Sequence, residues 1–260
     1  MSAAMRRWII ERSLASNVGH IGSALSIVDV AAVLWGRVLR YPGTTHLDRD
    51  RFILAKGHAA LALYAAMHYR GLLDEATFHT YCADGSLLGA HPEHGLPGVE
   101  VATGSLGQGL SVGAGMAHAL RRRGSPARVV VLLSDAECNE GQVWEAAAFA
   151  AHHRLGNLTA VIDRNGMQAM GRTESILDMN PLADRWRAFG WHVREVDGHD
   201  EANLLEALTA TPNAAGPVAV VARTVLGKGV SFMENRLEWH YSNLTPELAA
   251  RALEELDESL

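Results

Sequence analysis

VVVLLSDAECNEGQVWEAAAFAAHHRLGNLTAVIDRNGMQ, residues 129 to 168, is the stretch that decides how this chain folds. Val129 to Leu133 is a short apolar run rich in β-branched residues, the pattern of a strand buried on both faces. Glu140 to His153 carries Trp144, Ala147, Ala148 and Ala151 at helical spacing. Leu158 to Ile162 is a second buried strand, closed by the turn signal Asp163-Arg164-Asn165-Gly166. Strand, helix and strand in this order make a right-handed βαβ unit whose strands are parallel and usually adjacent. Asp135 and Asn165 then fall just past the carboxyl ends of the two strands, where open α/β sheets bind their ligands. Two oxygen side chains there, with a backbone carbonyl from the turn, suit Mg²⁺ or Ca²⁺ carrying a phosphorylated cofactor.

The flanks extend this unit into one doubly wound α/β domain over residues 1 to 260, a parallel sheet with helices on both faces. Upstream, Ala3 to Leu14 reads as a helix, followed by the Gly-rich loop Gly19-His20-Ile21-Gly22-Ser23. Ser26 is expected to cap a helix over Ile27 to Leu39. Arg51 to Leu54 is a short strand, and His58 sits where it passes into a helix over Ala59 to Tyr69, a junction that faces anions. A small helix near Asp74 to Tyr81 precedes the loop Gly85 to Gly98, too long for a plain connector and carrying His91-Pro92-Glu93-His94. Glycines crowd Thr103 to Ala117, which allows backbone to touch a ligand or a helix to pack closely. Downstream, Thr173 to Met179 reads as a loop and Pro181 opens a helix to about Phe189. A strand over Trp191 to Val196, a helix over Glu201 to Ala210, a buried strand over Pro217 to Thr224 and a helix over Thr245 to Leu256 complete the chain.

Composition narrows the function classes. A 260-residue chain that is 48% hydrophobic buries a full core. Its net charge of −6 argues against a nucleic-acid partner, and the short Arg121-Arg122-Arg123 run is read as charge complementing a helix C-terminus. Cys82 and Cys138 read as free, partly buried thiols of a reducing compartment. No signal-peptide core or apolar run of about 18 residues is present, so the chain reads as cytoplasmic, with no membrane partner.

Asp135 followed by Asn165 at the end of a strand resembles the metal-diphosphate motif of thiamine-diphosphate enzymes. The surrounding words are similar to those of transketolases in their split, two-gene form: GHIGSALS from Gly19, DRFILAKGHAALALY from Asp50, HPE from His91, GVEVATGSLGQGLSVGAGMA from Gly98 and NEGQVWEAA from Asn139. PLADRWRAFGWHV, DGHD and TVLGKGVSFMEN follow in family order. The resemblance implies a diphosphate-binding subunit that moves a two-carbon ketol unit from a ketose donor to an aldehyde acceptor. Asp135 and Asn165 would ligate Mg²⁺ with the carbonyl of Met167, and the Ala136 N–H would meet the diphosphate. His58, His240 and the Gly104-Ser105-Leu106 segment would contact the cofactor. His20, His91 and His240 would exchange protons with the sugar, and Glu140 would join a proton network between paired sites. A separately encoded pyrimidine-binding subunit is expected to complete a heterotetramer acting on small sugars or sugar phosphates.

Five positions depart from the family pattern. Gly-Asp-Gly is here Ser134-Asp135-Ala136, Ser105 replaces a proline, Ala90 replaces a glycine, and Tyr241 stands where glycine usually follows the histidine. The Cβ of Ala136 is tolerable only with a negative φ. These changes leave open transfer to a carrier protein or an unusual sugar, and a non-catalytic regulatory paralogue. A dinucleotide-binding protein is disfavoured by the lack of GxGxxG after a first strand.

Overall fold

In the computed structural model, residues 1 to 209 and 215 to 258 are described. Helices α1 (Ser2–Ser16), α2 (Ile21–Ser26) and α3 (Val28–Val33) lead through a π-helical turn to strand β1 (Arg51–Leu54). Then come α4 (Ala60–Tyr69), α5 (Glu75–Phe78), α6 (Gln108–Arg122), β2 (Val129–Ser134), α7 (Gly141–His152) and β3 (Leu158–Arg164). A small hairpin, β4 (Met167–Gln168) and β5 (Gly171–Arg172), precedes α8 (Thr173–Ile176) and α9 (Leu182–Ala188). β6 (His192–Asp197), α10 (Glu201–Thr209), β7 (Val218–Arg223) and α11 (Pro246–Glu258) close the chain. Ala210, the expected end of α10, lies outside the described residues.

The main sheet runs β1-β2-β3-β7-β6 with all pairs parallel. β2 and β3 are adjacent as the central stretch requires, in register from Val129 opposite Leu158 to Ser134 opposite Asp163. Alternate strand residues feed two separate cores. Leu54, Val130, Leu132, Val161 and Val220 pack with α1 to α4, α10 and α11. Ile53, Val131, Leu133, Ile162 and Val221 pack with α6, α7 and α9 on the other face. A strand buried on both faces cannot alternate with polar residues, which is why β2 reads as an unbroken apolar run. The glycines of α6 serve its close approach to the sheet. A Cβ on Gly113 would fall 2.4 Å from Val131 Cγ2, and one on Gly109 2.4 Å from Ala55 Cβ.

Three local expectations fail. Ser26 ends α2 instead of capping the next helix, because its hydroxyl donates to Ser23 O and to the Asp163 carboxylate, both at 2.9 Å. The glycine-rich loop after Gly19 is correspondingly short, since α2 begins at Ile21. Thr173 to Ile176 forms a helical turn where a loop was expected, folded back against the β4–β5 hairpin.

Asp50, fully buried ahead of β1, ties the amino end of the sheet together. It accepts the guanidinium groups of Arg40 and Arg128 at 2.8 and 2.9 Å and both their backbone N–H groups at 2.9 Å. Burial pushes this carboxyl up, but the hydrogen bonds outweigh it and hold the group below the ordinary aspartate value. A depressed folded pKa gives stability that is complete above the unfolded value near 4 and lost as pH falls through the folded one. Asp50→Ala is therefore expected to cost about 2 kcal/mol at pH 7. Urea unfolding at stepped pH will show the gap to the parent protein narrowing below about pH 4.

Candidate active site

The carboxyl ends of β1, β2 and β3 open on a cavity of about 290 Å³ lined by His20, His58, His91, His240, Gly104, Leu106, Ala136, Glu140, Asn165 and Met167. Four histidines distant in sequence thus converge. The His20 ring centroid lies 5.4, 6.2 and 5.6 Å from those of His58, His91 and His240, and His58 lies 5.5 Å from His240. His20 is delivered by a left-handed backbone (φ 65°) just ahead of α2, a conformation uncommon outside glycine and clustered at functional sites. His58 sits in a 3₁₀ turn between β1 and α4. Gly104, with φ 137°, lies under His91, where a Cβ would fall 2.8 Å from the ring. Ser105 is not part of this wall. It lines a separate groove with Thr103 and Gln108.

The surroundings shift three of the four imidazoles downward. Burial and then His91 lower the pKa of His20; burial and then Lys56 push His58 well below its usual value and His240 down to about 4. In this state the rings of His20, His58 and His240 are neutral at pH 7, each with one donor and one acceptor nitrogen. Anionic ligand groups beside them would raise those values again.

Beside the histidines stands a polar lattice. Asp135 accepts the Ala136 N–H and the Gly166 N–H, both at 2.9 Å, and burial followed by Asp163 pushes its carboxyl up to about 6. Asn165 accepts the Met167 N–H and donates to Asp163, both at 2.9 Å. It lines the histidine cavity and also an adjoining hollow of about 360 Å³ that contains Asp135 and Gly166. Ala136 avoids the left-handed region, so its extra Cβ is accommodated. Glu140 takes the N-cap position of α7, without a side-chain capping bond, at the exposed rim of the cavity.

Sequence reasoning missed three groups that hold this lattice. Lys56 and Asp163, both fully buried, form an ion pair. Asp163 also accepts from Ser26, Asn165 and Thr224. Glu137, pushed up to about 7 by burial, accepts the Gly107 N–H at 2.8 Å and so pins the glycine loop to the end of β2. An aspartate inside a buried apolar strand was the available signal, since such a charge requires a partner. Tyr241 is the other addition. Its exposed ring stands 4.9 Å from His240 and 5.4 Å from His20, on the cavity wall.

One observation fits a polar, charged cofactor. His20 Nδ1, His240 Nδ1 and Ser23 Oγ are buried without a hydrogen-bond partner among the described residues. No three His, Cys, Asp or Glu side chains gather for a metal among those residues. A cation there would rest on the Asp135 carboxylate, the Asn165 amide oxygen and a backbone carbonyl, an oxygen set that suits a hard ion. A larger hollow, of about 830 Å³, lies elsewhere and shares none of these residues.

Fold and site together define an α/β chain built to hold a diphosphate cofactor at the carboxyl edge of a parallel sheet. Residues 2–256 match the family described as "Transketolase, thiamine diphosphate binding domain". The 6-deoxy-6-sulfo-D-fructose transketolase subunit of Clostridium sp. is 39% identical over 259 residues, covering 97% of this chain and 94% of the relative. One of the apulose-4-phosphate transketolase subunits, that of Phocaeicola vulgatus, is 36% identical, covering 98% of this chain and 92% of the relative. Transketolase of Campylobacter jejuni superposes with a TM-score of 0.92 at 29% identity, covering 98% of this chain and 42% of its own. The chain belongs to the transketolase family, in its thiamine-diphosphate-binding part. It is a transferase subunit for two-carbon ketol units. Among the described residues no helix is long and apolar enough to cross a membrane.

Proposed function

We propose that this chain holds the diphosphate and metal of thiamine diphosphate in a two-part transketolase whose pyrimidine-binding half is a separate subunit, two copies of each forming the active particle. The convergence of His20, His58, His91 and His240 beside Asp135 and Asn165 carries this reading. Relatives named as transketolase subunits, spanned over 92 to 94% of their length, support the separate partner.

Asp135, Asn165 and the Met167 carbonyl would hold Mg²⁺, and the Ala136 N–H, which donates to the Asp135 carboxylate here, would meet the diphosphate. His58 would lie against the diphosphate, and His20, His91 and His240 along the sugar. Thiamine diphosphate supplies, when bound, an electron sink for breaking and making the carbon–carbon bond next to a carbonyl. The histidines accept and return protons at the sugar hydroxyl and carbonyl oxygens, for which neutral rings offer an acceptor nitrogen. Glu140, exposed at the rim, would join a proton network with the paired site. Relatives named for a sulfonated ketose and for apulose 4-phosphate support an anionic sugar as substrate.

The test is calorimetric titration of thiamine diphosphate with Mg²⁺ into the chain alone and mixed with its candidate partner, followed by a ketol-transfer assay. Tight binding and transfer are expected only in the mixture. Transfer by the chain alone would refute the two-part reading, and no binding in either sample would leave the regulatory paralogue.

A further inference from the structure

At the amino end of the sheet, opposite the histidines, a hollow of about 830 Å³ opens between the connection from α6 to β2 and that from α7 to β3. Arg40, Arg121, Arg128 and Arg154 line it, and no acidic side chain does among the described residues. The nearby carboxylates are Asp50, buried behind Arg40 and Arg128, and Asp48, which accepts from Ser125 at 2.6 Å. Four cations against two anions leave the hollow positive.

Three of these guanidinium groups are held in place with donors to spare. Arg40 and Arg128 are tied to Asp50 through Nε and Nη2, leaving each Nη1 without a hydrogen bond among the described residues. Arg121 spends only Nη1, on the carbonyls of His153 and Arg154, both at 2.7 Å. Arg121 and Arg122 lie in the last turn of α6, as the helix-end reading of the arginine run expects, and Arg121 reaches in addition the carbonyls that follow α7.

Arg154 is different. Its guanidinium bonds to nothing among the described residues, and it occupies the left-handed position (φ 49°) that follows α7. The Arg154 N–H reaches Ala151 O at 2.9 Å and the Leu155 N–H reaches Ala150 O at 3.1 Å, a Schellman cap whose left-handed residue is usually glycine. The chain accepts a strained backbone to place a free cation over the hollow. Strain of that kind points to use.

We propose that this hollow binds the phosphate groups of a small molecule, by charge-assisted bonds to Arg154 and the unspent donors of Arg40, Arg121 and Arg128. Val38, Pro126 and Ala127 supply apolar wall for the remainder of such a ligand. The held donors of Arg40, Arg121 and Arg128 lose little entropy on binding, which favours affinity. The hollow is separate from the cofactor cavity, with which it shares no lining residue.

The test is calorimetric titration of the intact chain, in EDTA, with pyrophosphate, inorganic phosphate and ADP. Saturable binding to one site per chain is expected, weakened at least tenfold in Arg154→Gly and unchanged in Asn165→Ala. Glycine suits the left-handed backbone, so Arg154→Gly keeps the fold, and its melting temperature will show this. ADP binding more tightly than pyrophosphate would place the apolar wall in the site; equal affinity would restrict recognition to the phosphates. Absence of saturable heat, full affinity in Arg154→Gly, or loss in Asn165→Ala would overturn the proposal, the last by assigning the anion to the cofactor cavity.

Discussion

Lys56→Met is expected to lower the unfolding free energy of the chain by about 3 to 5 kcal/mol, because it strands the Asp163 carboxylate in the core. Both side chains are fully buried. Ser26, Asn165 and Thr224 would still donate to Asp163, but hydrogen bonds without a countercharge do not offset the desolvation of an anion. Removing both charges in Lys56→Met/Asp163→Leu should therefore cost clearly less than the sum of the single changes, since the pair contributes mainly by neutralising itself. Urea unfolding of the parent, both single variants and the double variant closes the cycle. A Lys56→Met protein within about 1 kcal/mol of the parent would show that Lys56 is not what compensates the burial of Asp163.

The pair also explains what was legible in the sequence and what was not. The sheet could be read because β2, β3 and β7 are buried on both faces, and that burial demands continuous apolar runs such as Val129 to Leu133. Asp135 and Asn165 could be placed because strand ends follow directly from those runs. Lys56 could not. Nothing local marks a lysine between a strand and a helix as buried, and its partner lies 107 positions away. Ser26 failed for the same reason: a serine before an apolar run reads as a cap until a distant carboxylate claims its hydroxyl. His20, His91 and His240 were named through family resemblance, since spacing says nothing about their meeting. The lowered pKa values of His20 and His240 were out of reach, because they arise from burial and from Lys56 or a neighbouring ring supplied by other segments. Long-range polar contacts are invisible to periodicity, whereas apolar layers are not.

Asp135→Asn separates binding from stability, and its effect on binding should be the largest of any single change considered. The substitution keeps the shape of the side chain. It replaces one carboxylate oxygen by an NH₂ group that faces a backbone N–H, either that of Ala136 or that of Gly166. One hydrogen bond is lost, at a cost of about 1 kcal/mol, but a buried carboxylate is also removed, which relieves a desolvation penalty of similar or greater size. The melting temperature without cofactor should stay close to that of the parent or rise. Toward thiamine diphosphate and Mg²⁺ the balance reverses. On the proposed ligand set the cation would lose its single anionic protein ligand, and replacing even an outer partner of a metal ligand costs roughly 10- to 100-fold. Cofactor affinity in the assembled enzyme at fixed Mg²⁺ should fall by more than about a hundredfold, and ketol transfer with it. Paired melting curves and cofactor titrations measure both quantities on one preparation. A variant that binds the cofactor as tightly as the parent would remove Asp135 from the metal site. One that loses binding only because it has unfolded would show instead that the carboxylate serves the fold. A function-bearing charge that the bare fold would be better without is the pattern expected where stability has been given up for binding.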